Sequence, residues 1–286
     1  MQENRKVSVV IPTLGTASIE HTITALNSGS LVPEEILICL PQNSNAALEH
    51  LVDNNVIIVH TSVRGQVAQR AYGFGLAKSY LVLQIDDDII VEENCLEILV
   101  DFISSCSTDA SIAPSLFCND TGQSFYKKPS AKLGLLYFYY WLLNSRKGYQ
   151  PGTLTQAGTN IGIDPSKEVR DIVQVEWVPG GCLLHKRDKL VLNNFYKFPG
   201  KAYSEDLFHS LELTRNNVSL YVSTKAICYL DAEPTKAYSF SEYCTYIQRD
   251  YVARSHLVRI LNKSKARMNV FYFISILRYL TSKALG

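Results

Sequence analysis

Short apolar runs recur along the first half of the chain. Each is closed by a polar or turn-forming break and followed by a segment with apolar residues at helical spacing. Val7-Ser8-Val9-Val10-Ile11 reads as a buried strand and stops at Pro12-Thr13 and Gly15. A helix is expected from about Ser18 to Asn27, with Ile19, Ile23 and Leu26 on one face. Glu35 to Leu40 is the second strand, Ala46 to Val52 a short helix, and Val56 to His60 the third strand. Gln66 to Ala77 reads as a helix despite Gly73 and Gly75, Tyr80 to Ile85 as the fourth strand, and Glu92 to Ser104 as another helix. Four alternations of strand and helix argue for a largely parallel sheet covered on both faces, with all strand C-termini on one edge.

The second half is less regular. Strands are expected at Ser111 to Phe117, Val173 to Val178, Cys182 to His185, Leu220 to Val222 and Ala226 to Leu230. Helices are expected at Glu205 to Asn216 and over Ser239 to Leu261, the latter with a basic face of Arg249, Arg254 and Arg259. Two segments stand apart. Leu133 to Leu143 is almost wholly aromatic and aliphatic, and Met268 to Leu280 is similar; both have basic flanks. Each is too short to span a bilayer, so no transmembrane helix is expected. A buried helix, a docked C-terminal helix, an oligomer contact and an interfacial helix all fit these two segments.

Composition narrows the field. Twenty-eight basic against 27 acidic residues give a net charge of +1, so nucleic acid is not the expected partner. The seven cysteines show no C-x-x-C pair and no zinc spacing, which suits a reduced cytosolic protein without disulfides. No secretory segment precedes the first strand, so a cytoplasmic location is expected.

The chemistry centres on Asp86-Asp87-Asp88, which ends the fourth strand. The C-terminal ends of strands are where open α/β sheets bind ligands. Crowded carboxylates repel one another unless a cation neutralises them, and hard oxygen ligands suit Mg²⁺ or Mn²⁺ with substrate phosphates. The triplet therefore suggests a metal-bound phosphate ester such as a nucleotide; a solvated acidic turn is the competing reading. Around it stand the strand ending in Pro12-Thr13, Arg64-Gly65-Gln66-Val67-Ala68-Gln69-Arg70 at a helix start, Trp177-Val178-Pro179-Gly180-Gly181-Cys182, and Ser204-Glu205-Asp206 before a helix. In this order and spacing, over roughly Lys6 to Asp231, the set resembles glycosyltransferase family 2, the inverting family with the GT-A fold.

The resemblance implies an α/β fold: a Rossmann-like, mostly parallel central sheet flanked by helices. Its catalytic domain would cover residues 1–235, with a nucleotide-sugar half to about 110 and an acceptor half beyond, and a C-terminal helical extension over 236–286. It implies that Asp86 and Asp88 hold Mn²⁺ or Mg²⁺ on the diphosphate of a nucleotide-sugar, with Asp87 beside them, and that Asp206 is the general base. Pro12 and Thr13 would line the nucleoside pocket, and Arg70 would contact the nucleotide. Apart from the resemblance, Arg254 in Tyr251-Val252-Ala253-Arg254 is read as able to reach the diphosphate across the site. Trp177, Gly180, Gly181 and Glu205 would shape the acceptor side.

Plainer readings stay open beside these. Glu205-Asp206 could be helix N-terminal charges, Arg70 a surface ion-pair residue, Gly180-Gly181 a turn and Trp177 a core residue. His185 and His209 read as structural. The sequence departs from the family at the second strand's end, where Leu40-Pro41-Gln42-Asn43-Ser44 replaces the usual acidic pair. Base recognition then falls to Gln42 or backbone groups, which leaves UDP, dTDP and GDP all open. The Q-x-x-R-W signature of processive members is absent. The expected function is a metal-dependent, non-processive transferase of surface polysaccharide synthesis. It would act on a glycan or lipid-linked acceptor, with peripheral contact at the inner membrane surface, and oligomerisation is left open. A non-catalytic nucleotide-sugar-binding scaffold and a DxD phosphatase are the alternatives.

Overall fold

The computed structural model describes residues 3–44, 46–130, 133–198, 202–231 and 239–285. Its first half follows the alternation read from the sequence. The elements are β1 (Val7–Pro12), α1 (Ile19–Asn27), β2 (Glu35–Pro41), β3 (Val56–Thr61), α2 (Gln66–Leu76) and β4 (Leu81–Ile85). Strands β3, β2, β1 and β4 lie side by side and parallel. Every residue of β1, β2 and β4 is buried, as expected of strands covered on both faces. Helix α2 packs so closely on β1 and β2 that a Cβ on Gly73 would lie 2.5 Å from Val10 Cγ1 and 2.6 Å from Cys39 Sγ. That accounts for a glycine inside a helix.

The remaining elements are β5 (Ile89–Val91), α3 (Cys95–Ser105), β6 (Ala110–Cys118), α4 (Leu133–Asn144), β7 (Ile172–Val175), β8 (Cys182–Lys186), α5 (Glu205–Arg215), β9 (Ser219–Leu230), α6 (Phe240–Ile260) and α7 (Lys265–Leu285). The sheet runs β3-β2-β1-β4-β8-β6-β9-β5, with β7 also on β9. Only three residues separate β4 from β5, a reach of at most about 14 Å. Four strand steps in a flat sheet would cover about 19 Å. The sheet therefore curls back on itself, and Asp86 to Asp88 lie where it turns.

Two sequence expectations are corrected. Ala46 to Val52 does not become an α-helix; only Glu49–Leu51 forms a single 3₁₀ turn, because so short a segment cannot repay helix nucleation. The two strands expected at 220–222 and 226–230 are one strand, β9. Ser223 Oγ accepts from the N–H groups of Lys225 (3.2 Å) and Ala226 (3.0 Å), carrying the chain through Ser223-Thr224-Lys225. Opposite, the register shifts between Ala113 and Ser115, where Pro114 has no N–H for the ladder. The aromatic run is helix α4. The long basic helix is α6, opened by a capping box between Ser239 and Glu242. All seven cysteines are free, and no helix among the described residues is long and apolar enough to cross a membrane.

Candidate active site

The C-terminal ends of β1, β2 and β4 and the first turn of α2 converge. Gln66, Gln69 and Arg70 recur at i, i+3 and i+4, so one face of α2 delivers three polar side chains to that edge. Gln69 is buried and satisfied on both ends of its amide. Its Nε2 donates to Thr13 O (2.8 Å) and Cys39 O (2.7 Å), and its Oε1 accepts from Gly65 N (3.0 Å). This amide ties the ends of two strands to the helix start. Asp87 closes the loop after β1: its Oδ2 accepts from Thr13 Oγ1 and from Thr16 Oγ1 (2.7 Å). Thr13 Oγ1 in turn accepts from Gly15 N (2.8 Å). Beside this loop lies a cleft of about 300 Å³ lined by Leu14, Pro41, Gln42, Asn43, Thr61 and Arg64 among others. It carries no carboxylate, and Arg64 brings a positive charge.

Arg70 is the hub between the end of β4 and the start of α5. It is buried, and its guanidinium donates to Asp86 Oδ1 (3.0 Å) and to both oxygens of Glu205 (3.1 and 3.2 Å). Gln66 Nε2 also donates to Asp86 Oδ1 (2.8 Å). Burial opposes the arginine's charge, but Glu205 and Asp86 outweigh it and hold its pKa above the usual value. Burial pushes Glu205 up, against the pull of Arg70.

Gly180 and Gly181 sit between these carboxylates. A Cβ on Gly180 would lie 2.5 Å from Glu205 Oε1 and 3.4 Å from Asp206 Cβ; one on Gly181 would lie 3.4 Å from Asp86 Oδ2. The missing side chain at Gly180 is what makes room for the Glu205 carboxylate at the start of α5, whereas a Cβ on Gly181 would make only ordinary contact. Asp206 is half-buried at this junction. Burial, and then the Glu205 charge beside it, push its carboxyl up to about 7.

Behind the pocket runs a buried relay. Ser111 Oγ pairs with His185 Nδ1 (2.8 Å), His185 Nε2 with Gln84 Oε1 (3.3 Å), and Gln84 Nε2 donates to Gly180 O (2.6 Å). Because the Gln84 amide donates to Gly180, its oxygen must accept from His185 Nε2–H, which fixes a neutral tautomer with Nδ1 accepting from Ser111. Burial, then Arg70, push His185 down to about 3, and His209, with the two ring centres 5.5 Å apart, is lowered by burial, then by His185 and Arg70. Both are structural, as read from the sequence.

Other named residues are placed differently. Trp177 is a core residue: it is buried, with Nε1 donating to Ile161 O (3.1 Å), so it offers no exposed ring to a sugar. Arg254 does not face the triplet. Its guanidinium is buried against Asp250 (3.1 Å), Gly158 O (2.6 Å), Ser204 Oγ (2.8 Å) and Tyr272 (3.2 Å), which exhausts its reach. That cluster braces Ser204, which precedes α5 in a left-handed conformation with φ 59°. Glu205 is engaged by Arg70 on both oxygens. Asp88 has its backbone carbonyl bonded by Asp231 N (2.7 Å). Pro12 ends β1 at the mouth of the site. Gln66, Gln69, Gln84 and Arg64 were missed as site residues; the polar positions at helical spacing after Gly65 carried the signal for the first two.

The donor set suits a divalent cation. Asp86 and Asp88, with Asp87 between them, would offer hard oxygens, Asp86 Oδ1 being already held by Arg70 and Gln66, and no group of three His, Cys, Asp or Glu among the described residues would hold an ion unaided. Magnesium and manganese sites of this kind use one or two carboxylates and are completed by substrate phosphates and water.

A twisted α/β sheet with a carboxylate cluster at its curled edge and an acidic helix start facing it is the architecture of the GT-A glycosyltransferases. The chain belongs to glycosyl transferase family 2, whose profile matches residues 8–164. Solved structures share the fold at low identity. GalNAc-T7 with UDP, GalNAc and Mn²⁺ is 17% identical at TM-score 0.57, covering 85% of this chain and 48% of that one, so the chain spans about half of that protein. TarS 1–349 of S. aureus in complex with UDP-GlcNAc is 19% identical at TM-score 0.54, covering 92% and 69%. No curated protein sequence matches the chain.

Proposed function

We propose that the protein is an inverting, divalent-cation-dependent, non-processive glycosyltransferase. It moves one sugar from a nucleoside-diphosphate donor to a hydroxyl of a glycan or lipid-linked acceptor, in surface polysaccharide synthesis at the cytoplasmic face of the membrane. The observation that carries this reading is the buried Arg70, which ties Asp86 at the end of β4 to Glu205, the neighbour of Asp206, at the start of α5. Asp206 takes the proton of the acceptor hydroxyl as that oxygen bonds to the anomeric carbon and the diphosphate leaves from the opposite face. A pKa near 7 makes it a stronger base than an ordinary aspartate while leaving it largely ionised just above neutrality. Asp86 and Asp88 would hold the cation, which when bound offsets the charge developing on the leaving diphosphate. Arg70 keeps Asp86 and Glu205 fixed, and the 300 Å³ cleft by Gln42 takes the nucleoside. The uridine nucleotides seen in the two relatives make UDP the first donor to test.

The test is a thermal-shift panel of UDP, dTDP, GDP, CDP and ADP, with and without Mn²⁺. One diphosphate should raise the melting temperature by several degrees, and only with metal. Asp206→Asn should keep that shift and lose transfer. No shift from any nucleotide would overturn the reading.

A further inference from the structure

Helix α4 has no charged residue in its twelve positions and is apolar all round. Such a helix is normally buried on every side. Here only one side is covered: Tyr140 and Leu143 face inward, while Leu135, Tyr137, Phe138 and Trp141 stay exposed, from 41% for Trp141 to 71% for Leu135. Helix α7 packs beside it. Arg267 Nη1 donates to Trp141 O (2.7 Å), and the guanidinium of Arg278 lies 4.8 Å from the centre of the Tyr139 ring. On α7, Met268 and Tyr272 point into the protein. Phe273, Ile276, Leu277 and Leu280, at i, i+3, i+4 and i+7, form a stripe left 39% to 64% exposed. That spacing ordinarily marks the side a helix buries. Two adjoining helices thus show solvent the surfaces their sequences would hide.

Charge says what covers them. Between Asp120 and Asp164 the chain carries Lys127, Lys128, Lys132, Arg146 and Lys147 and no acid. After Asp250 it carries seven basic residues and again no acid, although acids and bases nearly balance over the whole chain. Arg254 is consumed by Asp250; Arg259, Lys265, Arg278 and Lys283 are exposed. An apolar, Tyr- and Trp-rich face carried by two helices whose own charged residues, Lys265, Arg267, Arg278 and Lys283, are all basic complements an anionic bilayer surface. A second copy would bring like charges together.

We infer that the α4–α7 face docks the enzyme on an anionic lipid surface. The step goes beyond the transfer reaction and does not depend on which sugar is moved. The docked helices also reach the catalytic loop: Tyr272 of α7 donates to Asp250 Oδ2 (2.6 Å), and Asp250 accepts from Ser204 (2.8 Å), two residues before Asp206.

The test is vesicle flotation of the full chain with phosphatidylcholine alone and with equimolar phosphatidylcholine and phosphatidylglycerol. The chain should float with the anionic vesicles and about tenfold less with neutral ones, and high salt should release part of it. A Tyr137→Ser, Phe138→Ser, Phe273→Ser variant and an Arg146→Glu, Lys147→Glu, Lys265→Glu, Lys283→Glu variant should each lose binding by tenfold or more. All of these side chains are exposed, and an unchanged melting temperature verifies the fold. Equal binding to both vesicle types, or full binding by either folded variant, overturns the proposal. So does absence of binding with a concentration-dependent dimer that the serine variant abolishes, which would assign the face to a second copy.

Discussion

The two sides of the site are held together in different ways. On the nucleotide side no ion pair is formed among the described residues: the Gln69 amide joins β1, β2 and α2, and neutral threonine hydroxyls donate to the carboxylate of Asp87. On the catalytic side, charge is buried against charge, with Arg70 between Asp86 and Glu205 and a proton-hungry Asp206 alongside. Neutral hydrogen bonds cost little to lose singly, whereas a broken buried ion pair leaves an uncompensated charge. The catalytic side should be the fragile one.

The largest break of that contrast is chemical. Asp206→Asn should lower transfer by about 10²- to 10⁴-fold, read as single-turnover product formation, with nucleotide affinity retained. Transfer within tenfold of the parent would remove Asp206 from the base role. Next, Glu205→Ala should destabilise the fold by about 3–5 kcal/mol in denaturant titration, because Arg70 loses its principal partner. Gln84→Leu should cost about 1–3 kcal/mol, since the buried Gly180 carbonyl and the His185 Nε2–H both lose their partner while Nδ1 keeps Ser111, and should lower kcat by shifting the loop. Thr16→Val, on the nucleotide side, should cost about 1 kcal/mol or less. If it matched Glu205→Ala, the distinction between the sides would fail.

Acidity sharpens the same contrast. A carboxyl whose folded pKa stands near 7, above its unfolded value, binds its proton more tightly in the native state. Its ionisation therefore erodes stability as pH rises from about 4 to 7. Asp206→Asn should raise the melting temperature above pH 7 and lose that gain near pH 4. Transfer by the parent should instead climb as pH rises through about 7 and level off above it, when the base is ionised.

The nucleotide side was legible because its strands are wholly buried and its breaks are sharp: Val7 to Thr13 and Tyr80 to Asp88 can be read by apolar runs alone. Asp86, Asp206 and the Gly180-Gly181 loop also stood out by order and spacing. What stayed hidden depends on contacts between distant positions. Arg70 and Glu205 are 135 residues apart, and nothing local announces that they neutralise each other. Arg254 looked like a diphosphate ligand because its partners, Asp250 and Ser204, are revealed only when α6 packs on the start of α5. Trp177 carried two readings from the sequence, and its burial beside Tyr126, with ring centres 5.4 Å apart, chose the core.

Ser204 holds a left-handed backbone that a serine adopts only when its surroundings over-determine it. Those surroundings are Asp250 and Arg254 of α6, themselves tied to Tyr272 of α7. The first turn of α5 and the two terminal helices consequently form one cooperative unit of opening. Amide protons of Leu207 and Phe208 should exchange together with those of α6. Removing the terminal helices would then unsettle Asp206, the proposed base, as well as any anchorage.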